Sequence, residues 1–241
     1  TGVPLTLVRV RAHHRFAVVE MGMRGLGEIE TLTRWVEPNV AVVTNAGSAH
    51  VGVVGSVEAI RRGKSEIWIG LAQRACAIYP AADDHLAALA KLRAPSARHV
   101  TFGARPGATS RIVAVESRGP AGSRATFDVA GRHVLVAVPI VGRHNVDNAA
   151  CALAVAHALE LDLDAAARGL GQTRAATLRG QVVTVAGRHV LVDCYNANPA
   201  SMRAAIETLV ELAAGGVAVA VMGNMLELGD GAVAEHRALG E

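Results

Sequence analysis

The heptapeptide Gly142 to Asn148, GRHNVDN, constrains the fold more than any other stretch, because the hydrophobic period changes across it. Before it, Val134 to Val141 alternates and then runs apolar as a buried strand does; after it, an Ala-rich helix extends towards Glu160. Gly142 releases the strand, and either Asn145 or Asp147 can cap the helix. A helix start in that position offers free N–H groups and partial positive charge to an anion or to the polar edge of a purine. Asn145 can donate and accept at once.

The segments upstream fall into a strand, helix, strand rhythm. A strand is expected at Phe16 to Met21, a helix at Gly27 to Trp35 stopped by Pro38, and a second strand at Val40 to Thr44. Short links of this kind make a βαβ unit, hence a parallel sheet with a right-handed crossover. Glu20 then leaves one strand, and His50, in the Gly-rich stretch NAGSAHVGVVGS, follows the next, at the same carboxyl edge. Ligands bind at that edge in open α/β sheets, and a carboxylate with an imidazole makes a partial shell for a divalent ion.

Ser56 is placed to cap a helix running to about Leu71. On it Val57, Ile60, Lys64, Ile67, Trp68 and Leu71 share one face, so an ammonium lies in an apolar stripe. Such a group must pair, snorkel or change its chemistry; a desolvated lysine can lose its proton and become a reactive amine. A strand at Cys76 to Tyr79 and a helix at Asp84 to Leu92 complete this layer. From His99 to Val141 the period becomes two, which predicts an antiparallel meander with Gly/Pro turns.

After a second helix, Asp164 to Gly171, a polar stretch carries the expected boundary near Thr177, giving domains of 1–177 and 178–241. Beyond it VVTVAGRHVLVD reads as a hairpin ending at Asp193. Asn198 and Pro199 read as cap and first residue of a helix to Ala214, followed by a buried strand at Val217 to Met222 and a helix from Ala232 to Leu239. The expected class is therefore α/β: a mostly parallel ATPase-type sheet with an antiparallel subregion, then the start of a Rossmann-like α/β domain.

Composition narrows the function. The 241 residues are 51% hydrophobic with a net charge of only +3, which argues against a nucleic-acid footprint and leaves anionic small substrates open. No apolar run approaches a membrane span and no signal-like segment is visible, so a cytoplasmic location is expected. The three cysteines lack metal-ligand spacing.

Seven strings in one order, GVPLTL, VVEMGMRGLGEI, TNAGSAH with VGS, GKSEIW, GRHNVDNA, DCYNANPASM and GNMLELG, together resemble the Mur ligases, most of all the branch that adds D-alanyl-D-alanine. The resemblance implies ATP-driven amide formation on UDP-N-acetylmuramoyl-tripeptide through an acyl phosphate, with two Mg²⁺ ions. It implies Glu20 and His50 as metal ligands, and Lys64 as a carbamylated lysine facing the second metal. His144 and Asn145 match an adenine-contacting turn, Arg179 an arginine that reaches the phosphates, and Asp193 a ribose contact; Tyr195, Asn196 and Asn198 line the same edge. Asn224, Cys194 and Val192 depart from the Asp, Ser and Asp usual at those positions, and Tyr79–Pro80 replaces an Asn-containing turn. The family's GTxGKT phosphate loop is not in these residues, so the chain alone is expected to be inactive. Competing expectations are a non-catalytic nucleotide-binding module, a diaminopimelate- or lysine-adding Mur ligase, or a folylpolyglutamate synthase.

Overall fold

The computed structural model describes residues 2–47, 55–226 and 228–241. Its centre is a six-stranded sheet in the order β1 (Val40–Val42), β2 (Cys76–Pro80), β3 (Arg98–Gly103), β4 (Ser110–Ser117), β5 (Ser123–Val129) and β6 (Arg132–Val138). The apolar run CAIYP of β2 is buried from Cys76 to Tyr79, as expected of a central parallel strand covered on both faces. β1 and β3 flank it in parallel, with Val40 opposite Cys76 and Cys76 opposite Arg98.

The expected antiparallel meander begins one strand later than its period-two pattern indicates. β3 pairs parallel with β4 through Phe102–Ser110 and Gly103–Arg111, and only β4, β5 and β6 are antiparallel. The end of β3 meets the beginning of β4, so a short link suffices where a full parallel crossover would need a dozen residues or so. Alternation records which residues face inward and carries no strand direction.

Helices cover both faces. On one side α5 (Arg143–Ala158) and α6 (Leu163–Leu170) lie over Ile78, Val100, Phe127 and Val136. The small residues Ala149, Ala150 and Ala154 on α5 let the backbone approach the sheet while Val146 and Leu153 fill the gaps. On the other side Trp68, Leu86 and Ala90 pack on Ala41, Val43, Ala77 and Tyr79, and the Trp68 indole N–H donates to the Ala41 carbonyl at 3.2 Å. Full burial of side chains such as Phe127 and Trp68 is worth roughly 2–3 kcal/mol each.

Three further helices were expected in outline, and two of them start at a side-chain cap. α3 (Val57–Lys64) begins where Ser56 Oγ accepts from Ala59 N, α4 (Asp84–Arg93) where Asp83 accepts from Leu86 N. α2 (Glu28–Val36) instead has Gly27 at its cap position with no side-chain cap of its own. α3 does not run on to Leu71: it tightens into a 3₁₀ turn, Ser65–Trp68, in which Ser65 Oγ donates back to Arg62 O at 2.8 Å. Residues three apart eclipse in such a turn, which buries Ser65 and Trp68 together under the sheet. A short helix α1 (Gly2–Leu7), absent from the sequence reading, opens the described chain.

A separate two-stranded sheet follows, β7 (Gln181–Val185) and β8 (Arg188–Val192). Ala186 and Gly187, at φ 48° and 76°, form the left-handed two-residue turn that matches strand twist. α7 (Pro199–Ala213) starts at a capping box in which Asn198 and Ser201 satisfy each other's backbone N–H, and α8 (Ala232–Gly240) closes the chain. Buried Thr208 of α7 sits against Gly142, where any Cβ would come within 3.0 Å of its Oγ1.

Two expected strands are not formed. Phe16–Met21 and Val217–Met222 have no ladder partner among the described residues, and Val18, Val217 and Val221 are 94%, 93% and 96% exposed. An apolar β-prone run becomes a strand only when neighbours take up its N–H and C=O groups. Among the described residues, no helix is long and apolar enough to cross a membrane.

Candidate active site

Lys64, the last residue of α3, turns its amine back onto the carboxyl edge of β1. Its Nζ donates to the Asn45 carbonyl at 2.9 Å and to Asn45 Oδ1 at 3.3 Å. Burial holds its pKa below the ordinary lysine value, because removal from water disfavours the ammonium. The apolar stripe and the polar contact therefore coexist: Ile60 and Trp68 are buried on either side of a lysine whose tip reaches a polar edge.

Glu20 lies exposed in the unpaired segment before α2, and His50 falls outside the described residues, as does any approach of the two. Among the described residues no group of three His, Cys, Asp or Glu side chains gathers as a metal centre. Two residues that the sequence reading passed over act here. Asn45 engages Lys64, and Glu66, only 5% exposed, accepts from Gly27 N at 2.8 Å and Glu30 N at 3.2 Å. Glu66 thus supplies, from the turn beside Lys64, the N-terminal cap that α2 lacks. Thr33 Oγ1 donates to Ile67 O at 2.9 Å and adds a second tie between α2 and this turn.

At the start of α5 the cap differs from the expectation. Gly142, at φ 96° and ψ 134°, occupies the cap position without a side-chain bond; Asn145 lies inside the first turn and Asp147 just beyond it. The bend out of β6 needs a conformation reserved for glycine, which moves the helix start upstream of both candidates. Asn145 Nδ2 donates to Val141 O at 2.8 Å and lies 3.0 Å from His144 Nε2, while its Oδ1 accepts from Asn148 at 3.2 Å. His144 and Asn145 are thus brought together, with His144 exposed. Burial raises the pKa of Asp147, opposed by the charges of Arg143 and His144.

A third cluster forms where β7 and β8 leave their short sheet. The Arg179 guanidinium carbon lies 3.9 Å above the Tyr195 ring centroid, and the two backbones are tied by Tyr195 N to Leu178 O at 3.1 Å. Asp193 Oδ1 accepts from Gly180 N at 3.2 Å, so Arg179, Asp193 and Tyr195 share one turn. Asn198 commits its side-chain oxygen to Ser201 N, and Asn196 accepts from Ala197 N at 2.9 Å. Cys194 and Asn224 are exposed. No hydrogen bond or ion pair among the described residues joins the Arg179 cluster to Lys64; the two parts of the fold touch where Thr208 packs on Gly142.

Chemically, the arrangement offers a desolvated amine at a strand edge, an open helix start beside an imidazole and an amide, and a stacked guanidinium beside a carboxylate. These suit a polyanionic ligand with an aromatic base.

The profile of the Mur ligase middle domain matches residues 1–156, and that of the Mur ligase glutamate ligase domain matches residues 178–241. The UDP-N-acetylmuramoyl-tripeptide--D-alanyl-D-alanine ligase of Bacillus subtilis (strain 168) is 34% identical over 230 residues, covering 95% of this chain and 49% of that protein. Crystal structure I of MurF from Acinetobacter baumannii superposes with a TM-score of 0.92 at 36% identity, covering 99% of this chain and 51% of that one. MurF from Thermotoga maritima in complex with ADP gives 0.83 at 25% identity, over 99% and 54%. The chain spans about half the length of the curated relatives it matches. The two domain matches and the superposition agree: the chain belongs to the Mur ligase family.

Proposed function

We propose that this chain forms the central and C-terminal parts of an ATP-dependent ligase. It would join D-alanyl-D-alanine to UDP-N-acetylmuramoyl-tripeptide in peptidoglycan precursor synthesis, working in the cytoplasm where these soluble substrates are made. What supports this reading is similarity over 95% of the chain to a protein named for that reaction. The boundary between the two parts falls near Thr177, between β6 with its covering helices and the β7–β8 hairpin.

The work required of the residues follows from the reaction. The tripeptide carboxylate takes the γ-phosphoryl group of ATP, and the dipeptide amine then displaces phosphate from the acyl carbon. Mg²⁺, when bound, neutralises charge on the crowded phosphate oxygens. Glu20 and His50 would hold one such ion, and a carbamylated Lys64 would offer its oxygens to a second. A half-buried amine held at the edge of β1 is chemically suited to that modification. His144 and Asn145 would read the adenine, Asp193 would accept from a ribose hydroxyl, and Tyr195 and Asn198 would line the same edge. Arg179 would reach the phosphates; stacking on Tyr195 occupies the face of its guanidinium and leaves the in-plane N–H donors for oxygen.

The test is phosphate release that depends on tripeptide, dipeptide and Mg·ATP together. It is run on the product of the complete reading frame and on the 241-residue chain. Three-substrate dependence in the former supports the reading; release that ignores D-alanyl-D-alanine refutes it. The chain alone is expected to be silent, because backbone N–H groups of a phosphate loop ordinarily cradle the γ-phosphoryl group.

A further inference from the structure

Asn45 touches Lys64 Nζ with two different oxygens, its backbone carbonyl at 2.9 Å and its side-chain Oδ1 at 3.3 Å. These two atoms differ in what they can become. The carbonyl is an acceptor only, whereas the side-chain amide presents Oδ1 or, after a half turn about its Cβ–Cγ bond, the donor Nδ2. Lys64 itself is the last residue of α3 and is followed by the buried turn of Ser65 and Glu66, so its backbone is fixed from behind.

The geometry points to Asn45 as the positioning residue that holds Lys64 in both its free and its carbamylated state, an inference that rests on the carbamate reading of Lys64. In the modification the lone pair of the neutral amine attacks the carbon of CO₂. An N–C bond forms, one C=O π pair moves onto oxygen, and a proton leaves nitrogen for solvent. The product keeps a single N–H and gains two oxygens that share one negative charge. That N–H still donates to the Asn45 carbonyl. The second contact must invert, because an oxygen now stands where a proton stood, and rotation of the Asn45 amide supplies Nδ2 as its donor. An aspartate at this position would hold the ammonium at least as well and would repel the carbamate; an alanine would serve neither state through its side chain.

The chain has only two lysines, Lys64 and the exposed Lys91, so carbamate can be read directly by NMR after equilibration with ¹³C-bicarbonate. Lys64→Arg assigns its resonance, and Lys91 reports the behaviour of a solvent-facing amine. The expected order of Lys64 carbamate occupancy is wild type, then Asn45→Ala, then Asn45→Asp, with the aspartate variant lower than wild type by about tenfold, as befits loss of a hydrogen bond to a charged group. A residue that merely supports the fold would give a different order, with aspartate close to wild type because both acceptors for the amine survive. Asparagine and aspartate variants of equal occupancy would overturn the inference while leaving the carbamate reading intact. A wild-type chain that shows carbamate on neither lysine, or equally on both, would overturn the reading of Lys64 and this inference with it.

Discussion

Removal of the Glu66 carboxylate should be a costly change on the Lys64 side of the sheet. In Glu66→Ala the first turn of α2 loses two hydrogen bonds to a charged acceptor, from Gly27 N and Glu30 N. At about 1.5 kcal/mol each, with a few tenths more for the helix dipole, the loss comes to about 3–4 kcal/mol. Gly27 carries no side chain that could take over, and its left-handed φ of 85° bars a simple replacement cap. Glu66→Gln keeps the volume and one accepting oxygen but turns an N–H against a backbone N–H, so about 1.5–2 kcal/mol is expected. Urea unfolding followed by Trp68 fluorescence reads the right region, since Trp68 is 1% exposed two residues away while Trp35 is 58% exposed. With an m-value of about 2 kcal/mol/M, the midpoint should fall by about 1.5–2 M for alanine and by about half that for glutamine. A fall below about 0.5 M for Glu66→Ala, or identical midpoints for the two variants, would show that water caps α2 equally well and that Glu66 ties nothing together.

Three other outcomes are expected. Gly142→Ala places a Cβ 2.6 Å from His144 Cε1 and 3.0 Å from Thr208 Oγ1 at a φ of 96°, so a loss of about 2–3 kcal/mol in thermal or urea unfolding is expected. Burial pushes the Cys151 thiol from 9.0 up to about 12, so its contribution is complete below pH 9 and is lost as pH rises towards 12. Stability at pH 10 should therefore be lower by at most about 1.4 kcal/mol, and Cys151→Ala should flatten that part of a pH series of unfolding curves. Asn198→Ala breaks the capping box of α7 and should cost about 1 kcal/mol, visible as faster amide exchange at Ser201 without change in the six-stranded sheet.

What could be read from the residues was what local chemistry decides. Ser56 and Asn198 were legible as caps because the partner N–H is three residues away, and the β7–β8 turn because Ala186–Gly187 stands between two alternating runs. Lys64 was conspicuous because a charge interrupts an apolar stripe. The residues that act on it from a distance were not: Asn45 is 19 positions away, and Glu66 caps donors 36 and 39 positions upstream. The segments at Phe16–Met21 and Val217–Met222 mislead for a related reason, since their valines encode a readiness to pair and say nothing about whether a neighbour is present. At α5 the glycine won over the asparagine and aspartate because the chain's direction leaving β6 is a backbone matter, settled before any side chain can cap.

The stack of Arg179 on Tyr195 has a bearing on how the two cations divide their labour. A guanidinium is a charge delocalised over a planar fork, and held over an aromatic face it is attracted to that face. Lys64 is the opposite kind of cation, since its burial makes the loss of a proton cheap. One positive charge is thus permanent and mobile only with the turn that carries it, while the other is conditional and anchored to the sheet. Exchanging them would fail in both directions: a lysine at 179 would lose its flat seat, and an arginine at 64 would keep its proton and so could never become a nucleophile towards CO₂.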